Sequence, residues 1–196
     1  MAARYVATSS ADEGLLGAWA AGQRLPEGLD GDSDFRWVVL GNLARRGAIG
    51  SAGLDAALDQ DRTMAGNLKW LQAKASTPDG PAKAWAWEQL TGEHGRSNYE
   101  LNSLAAGFWH ASDQDVLRPY VARYFSDVPA LAGRVGEDAL AKVAALAYPG
   151  ALVEEATARQ SAAALRRTDL TASVRRAIVD ADSQLLEALK SQATFG

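Results

Sequence analysis

The stretch from Pro81 to Phe125 reads PAKAWAWEQLTGEHGRSNYELNSLAAGFWHASDQDVLRPYVARYF. Its punctuation is that of helices. Ser97-Asn98-Tyr99-Glu100 fits a capping box, in which the Ser97 side chain accepts from the backbone and Glu100 reaches back to it. Behind that cap, Leu101, Leu104, Ala105 and Phe108 recur at i, i+3, i+4 and i+7, which is one face of a helix. Upstream, Trp85 and Trp87 share a helix and point about 160° apart. Large aromatics on opposite sides predict contact from both sides, as inside a stacked array. Downstream, Leu117, Tyr120, Val121 and Tyr124 form the next stripe. Ser112 and Asp115 offer it a cap, and Pro119 inside the pattern predicts a kink or break.

Working outward, the chain reads as about ten helices with no strand-like alternation. A first helix is expected near Ala11 to Arg24, followed by the turn-rich LPEGLDGDSD. Ser33 is the expected N-cap of a helix carrying Phe35, Val38, Val39 and Leu43. Arg45-Arg46-Gly47 ends it, with cations in the last turn and a glycine after it. A short helix over Ala52 to Asp59 follows, then one near Arg62 to Ala75 with Met64, Leu68, Leu71 and Ala75 on one stripe. Asp79 caps the helix of Trp85 and Trp87. Later helices centre on Leu140, Val143, Ala144 and Ala147, stopped by Tyr148-Pro149-Gly150; then on Leu152 to Arg166; and on a last stretch from Thr168 with Leu170, Val174, Ile178, Leu185 and Leu189. That last stripe could also serve a dimer, but too few heptads are present to favour this over packing on its own domain. Short connections predict antiparallel neighbours. Helix pairs of roughly 35 to 50 residues match HEAT-like units. The expected fold is all-α, a right-handed superhelix of HEAT/armadillo-like antiparallel helix pairs, with 1–196 as a single domain.

Composition agrees. The chain has 196 residues, is 47% hydrophobic and carries a net charge of −4, enough for one cored domain without an electrostatic footprint for nucleic acid. The absence of cysteine rules out disulfides, thiolate metal sites and a cysteine nucleophile, and it fits a cytoplasmic location. No apolar run approaches the ~20 residues needed to cross a bilayer, and the N-terminal segment is not a signal peptide.

Candidate chemistry is thin. His94 sits in the turn TGEHG and reads as a solvated loop side chain; His110 follows a helix end, where a cation suits the dipole. Neither lies in H-E-x-x-H. Asp30, Asp32 and Asp34 begin like a calcium loop, but Phe35 and Gly41 occupy the positions that need glycine and a bidentate Glu. Glu154-Glu155 and Asp180/Asp182 do not face each other on their helices. No G-x-S-x-G, phosphate-binding loop or dinucleotide fingerprint occurs. Trp37, Trp70, Trp85, Trp87 and Trp109 lack interleaved basic residues, so core packing is preferred to a nucleic-acid platform. Trp70 points off its helix's stripe and is the weakest of them as a core residue.

Several segments resemble the C-terminal helical domain of the zinc aminopeptidase N family, especially its actinobacterial members. They are GAWAAGQRLPEGLDGDSDFRWVVLGNLARRG, AKAWAWEQL, LAAGFWHASDQDVLRPYVARYF, the Ala147-Tyr148-Pro149 helix stop, and ALRRTD before the last helix. Their order and spacing carry the resemblance from about Gly17 to Leu189. It implies a HEAT-like superhelix, a fragment of a longer protein that begins inside or just before this domain, with one helix ahead of the LPEGL turn and the catalytic domain absent. Zinc and catalysis would belong to the parent enzyme's Gly-x-Met-Glu-Asn and H-E-x-x-H domain. This chain then holds no cofactor, no catalytic residue and no metal ligand. Its implied role is to cap that catalytic domain and wall a chamber for peptide substrates whose N-terminal residues the parent removes. The expected partners are that catalytic domain and peptides, not nucleic acid or membrane. Arg36, Trp70 and Arg118 are the expected interdomain or chamber contacts. The alternative is a free-standing helical-repeat adaptor for a peptide or protein, which would need a polar cap at both ends.

Overall fold

Helices begin in this chain where a side-chain oxygen can take the first free amides. Asp12, Asp32, Thr63, Asp79 and Ser97 each accept from a backbone N–H three residues on. The computed structural model describes residues 2–195. The helices are α1 Ala2–Ser9, α2 Glu13–Ala20, α3 Ser33–Arg46, α4 Ser51–Gln60, α5 Met64–Ser76, α6 Gly80–Thr91, α7 Asn98–Phe108, α8 Arg118–Asp127, α9 Glu137–Leu146, α10 Glu155–Leu165 and α11 Ala172–Phe195. A 3-10 turn, Pro129–Leu131, follows α8. Among the described residues the only extended pairing is an isolated bridge between Ala132 and Val135.

Several boundaries differ from the sequence reading. Two helices, not one, precede the LPEGL turn, because Ala2–Ser9 folds as a separate helix. The acceptor that starts α3 is Asp32, whose carboxylate bonds Phe35 N at 2.8 Å, so Ser33 is already helical. The α8 helix starts at Arg118 with no side-chain cap from Ser112 or Asp115. Pro119 therefore lies in the first turn, where its missing N–H costs nothing, and marks a start rather than a kink. The last helix begins at Ala172, four residues after Thr168. Met64 is 79% exposed at the first turn of α5, while Leu71 and Ala75 of its expected stripe are fully buried. The capping box holds: Ser97 and Glu100 satisfy each other's backbone amides.

The odd-numbered helices line up in one direction. Arg4 pairs with Asp32 at 2.7 Å near the starts of α1 and α3, and Asn42 reaches Ala7 O at 2.8 Å near their ends. Trp37 bonds Asp61, just ahead of α5, while Gly47 at the end of α3 meets Pro78 beyond the end of α5. Asn67 meets Glu100 at the starts of α5 and α7. Trp109 donates to Ala147 O at 2.6 Å, where α7 and α9 end, and Ser173 bonds Glu137 at 2.6 Å, where α9 and α11 begin. The even-numbered helices pack against this layer, and within their own row Arg118 at the head of α8 bonds Glu154 at the head of α10. The pairs Trp109–Ala147, Glu137–Ser173 and Arg118–Glu154 are separated by 38, 36 and 36 residues, so one helix pair is the repeating unit.

The tryptophan pair shows why a stacked helix needs two apolar sides. Trp87 is fully buried against Phe108 and Tyr120, at centroid separations of 4.9 and 5.3 Å, and Trp85 meets Trp70 at 5.7 Å on the other side. Helix α3 behaves likewise. Phe35, Val39 and Leu43 join Leu16 and Trp19, while Trp37, Leu40 and Ala44 join Leu54, Ala57 and Ala73.

The tightest helix contact is between α5 and α7. A Cβ added at Gly107 would lie 2.9 Å from the Gln72 carbonyl carbon and closer still to its oxygen. Backbone cannot yield there, so Gly107→Ala is expected to cost at least about 2 kcal/mol, lowering Tm by roughly 4–8 °C. Gly41, helical with nothing within 4 Å of an added Cβ, is the control. Gly41→Ala is expected to be neutral or to stabilise by up to about 1 kcal/mol. Thermal unfolding followed by circular dichroism checks both; equal effects would contradict the close-approach argument.

Candidate functional site

The three positions singled out by sequence lie apart, and the structure does not bring them together. Arg36, on the first turn of α3, lines a cleft of about 550 Å3 formed by α2, the 21–32 turn, the start of α3 and the end of α4. Trp19, Phe35 and Trp37 supply aromatic walls, and Asp61 stands at its edge. The Asp61 carboxyl is held below the usual range by hydrogen bonds from the Thr63 hydroxyl and the Trp37 indole, so it is ionised near neutral pH.

Trp70 is half-buried in a closed network. Its indole donates to Asp55 at 2.9 Å, Lys74 Nζ reaches the same carboxylate at 3.0 Å, and that ammonium lies 4.8 and 4.9 Å from the Trp70 and Trp85 rings. Arg118 is half-exposed and ion-paired with Asp115 and, at 2.8 Å, with Glu154. Both residues tie helices together: α4 to α5 and α6 at Trp70, α8 to α10 at Arg118.

A second cleft, of about 300 Å3, opens on the face of α3, α5 and α7 beside Asn42, Arg45, Lys69, Gln72 and His110. Behind it lies the most perturbed cation among the described residues. Lys83 has no exposed surface, and its Nζ donates at 2.5 Å to both Ala75 O and Phe108 O, in the last turns of α5 and α7. Burial pulls its pKa down to about 7, against the opposing pull of Asp79. His110 keeps an exposed face, yet burial of the rest of its surroundings, then Arg45 and Lys83, push its pKa below the ordinary histidine value. The sequence reading of His110 as a cation serving the helix dipole is therefore corrected: burial, with Arg45 and Lys83 nearby, disfavours its charged form. His94 is an exposed loop residue within 3.1 Å of Glu88.

Among the described residues no hydroxyl is hydrogen-bonded to either histidine, and no three His, Cys, Asp or Glu side chains are grouped to hold a metal. The two histidines face, respectively, a single carboxylate and two cations, a donor set that does not fit zinc.

Comparison with known proteins gives this arrangement its context. The ERAP1-like C-terminal domain family matches residues 2–186. This chain belongs to that family. It is 29% identical over 179 residues to the aminopeptidase N of Streptomyces lividans, an alignment covering 91% of this chain and 21% of that protein. The chain thus spans about one fifth of the length of the relative it matches. Within the described residues, no helix of this ERAP1-like domain is long and apolar enough to cross a membrane.

Two features of the domain escaped the sequence reading. The Arg36 cleft is built in part by the 21–32 stretch, which the sequence presents as a turn ending in a helix cap. Lys83 did leave a signal, since Lys83, Ala86, Trp87 and Leu90 fall at i, i+3, i+4 and i+7, which puts an ammonium on the most buried stripe of α6. Lys83→Met keeps the volume but orphans two buried carbonyls and is expected to cost at least about 2 kcal/mol at pH 7. The folded-state pKa lies below the unfolded value, so the unfolded chain binds more protons between about pH 7 and 10.5. Stability is then expected to rise with pH across that window, by on the order of 1–2 kcal/mol between pH 7 and 9. Urea denaturation of wild type and Lys83→Met at both pH values checks this; a rise that persists in the variant would assign it to another group.

Proposed function

We propose that this chain is the non-catalytic, HEAT-like superhelical domain of a zinc aminopeptidase, with 1–196 acting as one unit that caps the catalytic domain and walls the chamber entered by peptides. The observation that carries this reading is the match along nearly the whole chain to a domain family, against a relative more than four times as long that is an aminopeptidase. The side-chain inventory supports it, since a wall needs rigid helices and no reactive centre of its own.

The surface supports it too. A free-standing adaptor would close both ends of its stack with polar helices. The outermost helices here keep large apolar side chains in the open: Tyr5 on α1 is 75% exposed, and Val179 and Leu186 on α11 are 44% and 43% exposed. In this reading Arg36, Trp70 and Arg118 are contacts to the catalytic domain or the chamber. Arg36 fits that role best, because the other two already have partners within the chain.

Two measurements test the proposal. Purified chain is expected to contain far less than one zinc per molecule by metal analysis and to leave alanyl anilides intact. Stoichiometric zinc would overturn the wall reading. In the longer protein, deleting this domain is expected to change the ratio of kcat/KM between a short and a long peptide substrate. An unchanged ratio would remove the chamber from the account.

A further inference from the structure

The cleft beside Arg36 has more structure than a wall requires. Its volume of about 550 Å3 falls within the roughly 300–1,000 Å3 of small-molecule sites. Trp19 and Phe35 pack with centroids 5.4 Å apart, Trp37 stands beside them, and Leu25 and Leu29 add aliphatic surface. The rings are fixed from behind. The Trp19 indole donates to Arg24 O at 3.0 Å, and the Trp37 indole donates to Asp61 Oδ2 at 2.8 Å. Arg24, between the lining residues Gly22 and Leu25, has φ 54, the only positive φ of a non-glycine residue among those described. That conformation is costly for an L-residue and is held here by the indole bond at its carbonyl.

The charges around the cleft can be counted. Asp32 accepts from Phe35 N and pairs with Arg4, so it is already engaged. Asp61 Oδ1 receives both the Thr63 hydroxyl and the Thr63 amide, while Oδ2 receives only the Trp37 indole and keeps an acceptor site free. Among the described residues the Arg36 guanidinium makes no hydrogen bond and no ion pair; it acts on Asp61 only through space. An unengaged guanidinium and a half-engaged carboxylate thus border one apolar wall without closing on each other.

We propose that this cleft binds a free α-amino acid with an apolar side chain, whose carboxylate is taken by Arg36, whose ammonium is taken by Asp61, and whose side chain lies against Trp19, Phe35 and Trp37. A guanidinium presents parallel donors that match a carboxylate. A ligand with only one of the two charges would leave the opposite protein charge without a partner in the occupied cleft, so the geometry selects a zwitterion. The inference goes beyond the wall reading and does not rest on it.

The test uses the 15N-labelled chain, following indole N–H resonances while L-phenylalanine, N-acetyl-L-phenylalanine or L-phenylalaninamide is added. Saturable shifts of Trp19 and Trp37 are expected with L-phenylalanine, with the Trp87 and Trp109 indoles unmoved. Each blocked analogue is expected to bind at least about tenfold more weakly, the worth of one charge-assisted contact. Arg36→Met, and Asp61→Asn, which keeps an acceptor for Trp37, are each expected to weaken L-phenylalanine by a similar factor; unchanged helical circular dichroism shows that the fold survives. Absence of saturable shifts at millimolar ligand, or equal binding by Arg36→Met or by the blocked analogues, would overturn the proposal. No hydrolysis is measured, so such failure would leave the chamber-wall reading standing.

Discussion

Helices that run the same way in one layer bring their C-terminal ends to one edge, and each end leaves up to four carbonyls without partners in its own helix. The structure depends on how this layer closes that edge. Asn42 of α3 donates to Ala7 O and Ser10 O beyond α1. Lys83 of α6 closes α5 and α7 together. Trp109 reaches Ala147 O, and Tyr124 reaches Ala144 O, at the end of α9. In α3, Gly47 adopts the left-handed conformation that lets its own N–H and that of Ala48 turn back to Ala44 O and Leu43 O. All but the last two of these bonds cross from one helix to another helix or to the residues that follow it. They therefore fix register as well as satisfy acceptors: sliding a helix by one residue would move its donor away from the waiting carbonyl.

The same edge explains the distribution of charge. Aligned C-termini each carry roughly half a negative charge, and Arg45, Arg46 and Lys83 gather where α3, α5 and α7 end. A cationic cluster beside a cleft invites a functional reading. Here its charge is already engaged: Lys83 by two carbonyls, Arg45 by Thr8 O, and Arg46 by Asn42. His110 is then not needed as a cation, and its depressed pKa follows first from burial and then from the nearby Arg45 and Lys83. Arg36 differs because it lies at the opposite, N-terminal end of α3, away from any carbonyl edge. That is why its guanidinium remains unengaged.

Much of the fold was legible in local sequence, and the failures have physical causes. The capping box at Ser97, the stripe behind it and the opposed Trp85 and Trp87 are properties of one helix at a time, and the structure reproduces them. The first helix went unread because Ala2–Ser9 is only eight residues long and places a single side chain, Ala7, in full burial. Its stability comes from Asn42 and Arg45, more than thirty positions away. Pro119 fits a stripe and a helix start equally well until the preceding turn is known. The cleft was hardest to foresee. Its walls are Trp19, Phe35 and Trp37, ordinary core aromatics by composition, and its shape depends on how the 21–32 turn holds Leu25 and Leu29 against them.

Trp37 connects these observations. Its ring belongs to the small cluster of Leu40, Ala44, Leu54, Ala57 and Ala73, whereas its helical neighbours Phe35 and Val39 belong to the cluster of α1 and α2. The large core begins only at Leu71 and continues to Leu185. Helices α1 to α3 are thus joined to the rest through a seam of its own, where α3 packs along α5 and Trp37 and Leu40 meet Leu54 and Trp70. The Trp37 indole spans that seam to Asp61, ahead of α5. A ligand seated between Arg36 and Asp61 would bridge the same two parts. Occupancy of the cleft would then be felt as stiffness between the first three helices and the remaining ones, the route by which a small site could influence the whole domain.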